Sequence, residues 1–503
     1  MRERGRAVRA ALAGLAAAGA LAALAAAAGD APPTWRGSVG RLVQAHCANC
    51  HRPGDIAPMP LLSYGDAAPW AEEMATETGA RRMPPWKPDP GHGLFLGENR
   101  LTDREIATFA AWTAAGAPEG SGPDPKPRAE AGEWPLGEPD AILSYGTPFT
   151  PPAEGEVYRC FPIPTDFPGD RWVRAVDILP GDRATVHHVI LFIDTTGASL
   201  LADALEPGPG YTCFGGAGVP VTGSLGGWAP GFRPFSLSAD TGLRLPAGAT
   251  VVMQVHYQPD GLETPDATRV GLYFHERAPE HALLIVPVGR TDFTIPAGDP
   301  AYGVEATQWI PPFAAVTVRN VAPHMHLLGR SMAVDALLPD GTERSLVRIS
   351  DWDFHWQAVY SLRRPAPLPG GTTIRVRTVY DNSAANPDNP ASPPVDVSYG
   401  EATTDEMGWA FLGVTLGAQG PPLRAPEVSD VAVDGRGRLM VRGRGIRRGA
   451  RIEIDGEPVP DSRGSRSVVS AVDWADLAPE GVPVSVAVRN PDGHLSRPVA
   501  FTR

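Results

Sequence analysis

Cys47, Cys50 and His51, in "CANCH", are spaced for one covalent chemistry. Two thiols three positions apart form thioethers to the two vinyl groups of a haem, and the histidine after the second cysteine brings an imidazole to the iron. A redox dithiol or half a zinc site leaves that histidine unexplained, and with Cys 4 in the whole chain no second CxxC exists to complete a zinc site. The second axial ligand should be a thioether or another imidazole, with Met59, Met74 and Met83 as the nearby thioethers. Further on, His187 and His188 are adjacent in "TVHHVILF", His256 lies in "VVMQVHYQ", and His324 and His326 stand at i, i+2 in "VAPHMHLLG". The last spacing points two rings to one face of a strand. Singly, each is more often a satisfied structural histidine. Together they form a set of imidazoles suited to copper, zinc, iron or nickel, and Met407, in "TTDEMGWAFLG", offers a thioether that tilts the choice towards Cu(I).

The elements that must position these residues follow from pattern and composition. The 503 residues call for several domains, and Gly 56 with Pro 55 favours turn-rich β structure over much of the length. A formal charge of -13 argues against a nucleic-acid partner, which needs clustered Lys and Arg. Arg2, Arg4, Arg6 and Arg9 precede an Ala/Leu run, and Ala26 to Ala28 suit a peptidase. Residues 1–28 are therefore expected to be a signal peptide, with an uncleaved anchor as the alternative. Residues 33–122 resemble a small cytochrome c: a short apolar helix, Val39 to Ala45, leads into the cysteine pair, and Thr102 with Glu105 forms a capping box before Ile106, Phe109 and Trp112. That resemblance selects Met83, in "RRMPPW", as the second axial ligand, because the family places a Met-Pro on a loop between two helices; Met59 and Met74 are the rivals. Residues 123–135, dense in Pro, Gly and charge, read as a linker.

From 136 onward short β-branched and aromatic runs alternate with Gly/Pro turns, as in "RWVRAVDILPGDRATVHHVILFID", which indicates β-sandwich structure. A break near "HERAPEHALL" divides it into 136–278 and 279–423. The ordered set "HH", "QVHY", "HMH" and "DEM" resembles the copper type II, ascorbate-dependent monooxygenases, which include peptidylglycine α-hydroxylating and dopamine β-monooxygenases. The resemblance implies two jelly-roll-like sandwiches with two copper ions. His187, His188 and His256 would hold the electron-transfer copper, and His324, His326 and Met407 the copper that binds oxygen and serves as the catalytic centre for C–H hydroxylation. Three imidazoles serve both copper oxidation states, whereas a thioether stabilises Cu(I). Peptide-amidating members clamp the substrate carboxylate with an Arg and a Tyr at positions occupied here by Ala322 and Phe411, which implies a less polar small organic substrate.

The remaining expectations are smaller. Cys160 and Cys213 are compatible with a disulfide in an oxidising compartment. Gln254 either orients His256, whose strand face it shares, or is a solvated strand residue. His355 alternates with Trp352, Phe354 and Trp356 on an expected strand, as a solvated residue opposite an aromatic core face. His46, His92, His275, His281 and His494 have no partner motif. Residues 425–503 are similar to IPT/TIG immunoglobulin-like modules in "GA.IEIDG" and "V.V.NPDG..S". The chain is thus expected to be multidomain, an all-α cytochrome c domain before three β domains, periplasmic or secreted. Ascorbate or a periplasmic redox protein would supply electrons, possession of a haem suggesting passage through it in one direction or the other. The alternative is a non-catalytic electron-transfer or copper-carrying protein.

Overall fold

The computed structural model describes residues 32–53, 57–126, 134–229, 234, 236–258, 261–417 and 425–503. The expected signal peptide and the centre of the expected linker, 127–133, lie outside the described residues. The chain is multidomain and mostly β, with a short helical N-terminal region. It divides into one unit of Met1–Trp86 with Gly97–Gly132 and another of Lys87–Leu96 with Glu133–Arg503. Among the described residues no helix is long and apolar enough to cross a membrane.

In the first unit, helices α1 (Gly40–His46), α2 (Tyr64–Ala67), α3 (Ala71–Gly79) and α4 (Asp103–Ala114) surround a core of Trp35, Val43, Met74, Phe109 and Trp112. The expected capping box starts α4: the Glu105 N–H donates to Thr102 Oγ1 and the Thr102 N–H donates to the Glu105 carboxylate at 2.7 Å. Each bond satisfies a donor that the first helical turn leaves without a partner. Ser63 and Asp66 repeat the device on α2.

In the second unit, two five-stranded sheets share one apolar core. One runs Tyr211–Thr212, β1 (Val157–Pro164), β3 (Thr250–Tyr257), β2 (Val186–Asp194) and Gly223–Trp228, antiparallel throughout. Its alternating Val, Ile and Leu side chains face Val173, Ile178, Val270 and Leu272 of the other sheet. The next β region begins at Leu284–Gly289, the edge of a four-stranded antiparallel sheet with β4 (Val316–Met325), β6 (Tyr360–Leu368) and β7 (Gly408–Leu416), in the order edge, β7, β4, β6. A nine-stranded sheet contains β5 (Glu343–Ile349) and continues into the C-terminal segment, because β9 (His494–Leu495) pairs with β5 and β8 (Pro483–Arg489) pairs with β9. The C-terminal segment also has its own core, including Leu439, Ile452, Val469 and Trp474. Lys87–Leu96 packs on this same unit: the Asp89 N–H donates to the Arg348 carbonyl at 2.7 Å and the Arg363 N–H to the Leu94 carbonyl at 2.7 Å.

Candidate metal centres

Adjacent residues of a regular strand point to opposite faces, so His187 and His188 should not reach a common point. A bulge resolves this. The register of β2 on β3 shifts between Val186, opposite Tyr257, and His188, opposite His256. The extra residue, His187, is thereby re-aimed to the side of its neighbour. Its Nδ1 lies 3.1 Å from His256 Nδ1 and 3.3 Å from His188 Nδ1, and the ligand atoms of all three lie within 4.8 Å of one another. Nitrogens bound at about 2.0 Å to one ion in tetrahedral geometry are separated by about 3.3 Å, so the spacing matches a shared metal. His256 Nε2 is buried without a hydrogen-bond partner, the Glu156 carboxylate standing 3.4 Å away. Burial first, and the neighbouring imidazoles second, lower His187 to about 4 and His256 to about 3, and hold His188 well below its ordinary value. All three are neutral at pH 7, with lone pairs available to a cation.

Tyr158, on β1 opposite His256, stacks on that ring at 4.1 Å with 7° between planes. Its hydroxyl donates to the Glu401 carbonyl at 2.8 Å, in the loop before β7. Cys160 and Cys213 form a disulfide with Cα atoms 5.8 Å apart. Gln254 does not lie in solvent: it is buried, and its Nε2 donates to the carbonyls of Cys213 at 2.9 Å and Gly216 at 2.7 Å. The short acceptor-rich loop at the disulfide captures it because a buried amide must find partners.

The second set stands on β4 and β7. The His324 and His326 rings are 5.1 Å apart and nearly perpendicular, at 82°. His324 Nδ1 is 2.6 Å from Gln357 Oε1, and His326 Nδ1 is 3.0 Å from the Asp405 carbonyl. Protons on both Nδ1 atoms, donated to those oxygens, leave both Nε2 lone pairs for a ligand. Burial, with His326 as a further cause, lowers His324 to about 3; burial likewise lowers His326 to about 4. Across the strand pair Ala322 faces Phe411 and His324 faces Trp409, with Met325 opposite Gly408. The chain continues one step further to His326 on one side and Met407 on the other. Glu406, fully buried, joins these ends: it accepts the N–H of His326 at 3.0 Å, of Leu328 at 2.6 Å and of Met407 at 3.2 Å.

Phe354 and Gln357, which sequence pattern did not single out as functional, come from a loop rather than the expected strand. Asp353 winds it into a turn, accepting the His355 N–H at 3.0 Å on its side chain and the Trp356 N–H at 3.1 Å on its carbonyl. His355 is solvated as expected, while Phe354 is buried between two imidazoles: its ring lies 5.2 Å from His187 and 5.9 Å from His326. Glu406 sat inside the "DEM" motif, where only the methionine carried an assigned role.

In the first unit, the N–H groups of Cys50 and His51 donate to the Cys47 carbonyl at 3.1 and 3.0 Å, winding the motif into a turn. His51 Nδ1 lies 3.1 Å from the Met59 carbonyl, so a proton there leaves the Nε2 lone pair free. Burial and then Cys50 push the Cys47 thiol up to about 12. Met74 is part of the helical core, Met59 is half-buried against it, and Met83 is exposed in a hollow with Thr78, Arg81, Trp86 and Leu101.

No family profile matches this chain, and no curated protein matches it. Among solved structures, PNGF-II aligns at 11% identity over 55% of this chain, which spans 65% of that structure's length, with a TM-score of 0.24. The VP2 subviral particle of infectious bursal disease virus aligns at 11% identity over 57% of this chain and 76% of its own, with a TM-score of 0.18. At these TM-scores neither similarity bears on fold or function.

Proposed function

We propose that residues 136–423 are a copper-dependent monooxygenase core, two jelly-roll-like sandwiches that hydroxylate a C–H bond of a small organic substrate with O2. The observation that carries this reading is the convergence of three neutral imidazoles through Nδ1 at 3.1 and 3.3 Å, beside a second and chemically different histidine pair. Copper at the two sets would supply one-electron transfer at the first and oxygen activation at the second.

The chain's own groups prepare both sets. In the first, His187, His188 and His256 present lone pairs without a proton to displace. In the second, the Gln357 and Asp405 oxygens orient His324 and His326, and Glu406 holds the backbone of Met407 beside them. Ala322 and Phe411 put apolar surface where a carboxylate clamp would be, with the Phe411 ring 6.4 Å from His324. A substrate held there is gripped by apolar contact rather than by charge.

Residues 33–122 would serve as a c-type cytochrome, in which Cys47 and Cys50 would tether a haem and His51 and Met83 would ligate it; the haem would supply one-electron transfer, with ascorbate or a periplasmic redox protein as the donor. Export to the periplasm or beyond is supported by the Cys160–Cys213 disulfide. The C-terminal residues 425–503 are an immunoglobulin-like β-sandwich without assigned chemistry.

The test is metal content by mass spectrometry on protein matured with haem and supplied with copper, followed by oxygen consumption over a screen of apolar substrates. Two copper per haem and a hydroxylated product formed in step with O2 loss are expected. Copper released to an acceptor without oxygen use would replace this reading by a copper carrier. Glycine-extended peptides should not be amidated, because the carboxylate has no cationic partner at Ala322.

A further inference from the structure

Two aromatic side chains close the seam between the β regions that carry the two histidine sets. Tyr158 reaches from the first region to the Glu401 carbonyl of the second. Phe354 reaches the other way, and its contacts are unlike ordinary core packing. One face stacks on His187 at 5.2 Å with 24° between planes, while His326 meets the same ring nearly edge-on at 5.9 Å and 76°. Both separations fall in the range of attractive ring pairs, about 4.5–7 Å. One ring therefore touches one imidazole from each set.

The loop that presents this ring is pinned. Gln357 Nε2 donates to the Phe354 carbonyl at 2.9 Å while its Oε1 meets His324. Lys87 pairs with Asp351 at 3.1 Å and with Asp353 at 3.5 Å. A pinned loop gives the ring little freedom to follow either imidazole alone, so it fixes the two against each other.

We propose that Phe354 is a positioning residue shared by both metal sets, a single ring that fixes His187 and His326 relative to one another. The proposal rests on reading both sets as copper sites. Its consequence is that the two sites are not independent: loosening the ring disorganises one imidazole of each. Outer-sphere partners of metal ligands commonly change affinity by about 10- to 100-fold when removed. F354A should therefore weaken copper binding at both sets by a factor in that range, F354Y should restore it, and Gln357→Ala, which removes the partner of His324 as well as one pin of the Phe354 loop, should weaken the His324/His326 set the more.

The deciding measurement is made first on metal-free protein, with histidine ring carbons labelled and assigned by NMR. In F354L, which keeps apolar bulk but removes the ring current, the His187 and His326 signals should both move, while His275, far along the chain and held by the Thr241 carbonyl at 2.8 Å, should not. Movement of only one of the two, or of neither, would overturn the proposal whatever the metal content. Copper titration of F354A and F354Y then reads the coupling. Loss at one set alone, or loss that tyrosine does not restore, would equally overturn it. A wild-type chain that takes up fewer than two copper ions would instead defeat the monooxygenase reading, and the metal-free spectra would still decide the role of Phe354.

Discussion

Replacing Glu406 tests the second histidine set at its most specific contact. The carboxylate is fully buried and receives the backbone N–H groups of His326, Leu328 and Met407, at 3.0, 2.6 and 3.2 Å. Burial raises its carboxyl above the ordinary range, while those donors pull the other way, towards the carboxylate, the form that accepts on both oxygens. In E406A the donors lose their acceptor in a place water reaches poorly, and each unsatisfied buried donor costs about 1–3 kcal/mol. A total loss of about 3 kcal/mol or more is expected, read as a fall in the urea midpoint at unchanged slope. E406Q keeps one oxygen where the carboxylate had two: Oε1 serves Leu328, and Oε2 serves His326 and Met407. Whichever way the amide turns, its NH2 faces a backbone N–H, so E406Q should lose about 1–3 kcal/mol, less than alanine. Copper titration separates the local effect from the global one, since retention should fall at the His324/His326 set and hold at His187/His188/His256. An E406A protein within about 0.5 kcal/mol of wild type, the range of a neutral surface change, would refute the reasoning. Equal copper loss at both sets would refute it too.

Three further outcomes are expected. Arg489 is buried, its Nη2 donating to Glu453 at 3.2 Å and its Nη1 to the Gly493 carbonyl at 3.1 Å; R489A strands the buried Glu453 charge and should cost about 3–5 kcal/mol in chemical unfolding. Removing the disulfide by C160S/C213S opens a link across 53 residues, for which chain entropy gives about 4 kcal/mol, checked by thermal unfolding against the oxidised wild type, with the reduced wild type expected to match the variant. Burial first, then Arg489, Arg348 and Arg451, lower His92 to about 3. The unfolded chain thus binds a proton that the folded chain refuses. The contribution is complete above the ordinary histidine range near 6.5 and is lost as pH falls towards 3, at about 1.4 kcal/mol per pH unit. H92Q should flatten the stability profile between pH 6 and 4, about that much per unit, and an unchanged slope would argue against it.

Much of the coarse architecture was legible in local pattern. The Thr102 capping box and the Phe109–Trp112 spacing mark a helix with one apolar face, and α4 is that helix. Alternation along "TVHHVILFID" marks a half-buried strand, and β2 alternates in burial beyond its bulge. Met74 reads as core on helical spacing and is core. Local pattern failed where tertiary contacts outweighed it. "WDFHWQ" alternates like a strand, but the Asp353 turn bends it into a loop. Gln254 shares the strand face of His256, yet the disulfide loop supplies its partners. Local pattern also says nothing of the pairing of β5 with β9, which joins the C-terminal segment to the preceding sheet across residues far apart in sequence.

By itself the sequence determined the kinds of ligand and the elements that carry them: which imidazoles, thiols and thioethers the chain owns, and on which strand or turn each stands. These depend on residue chemistry and on periods of two or 3.6 residues, which are local quantities. Only the tertiary structure decided which of those groups meet. The bulge at Val186–His188 turns His187 to the side of His188 and His256, Glu406 ties Met407 to His326 across β4 and β7, and Phe354 stands between the two sets. Each of these depends on strand register and on contacts between residues tens to hundreds of positions apart, which no local window of sequence contains.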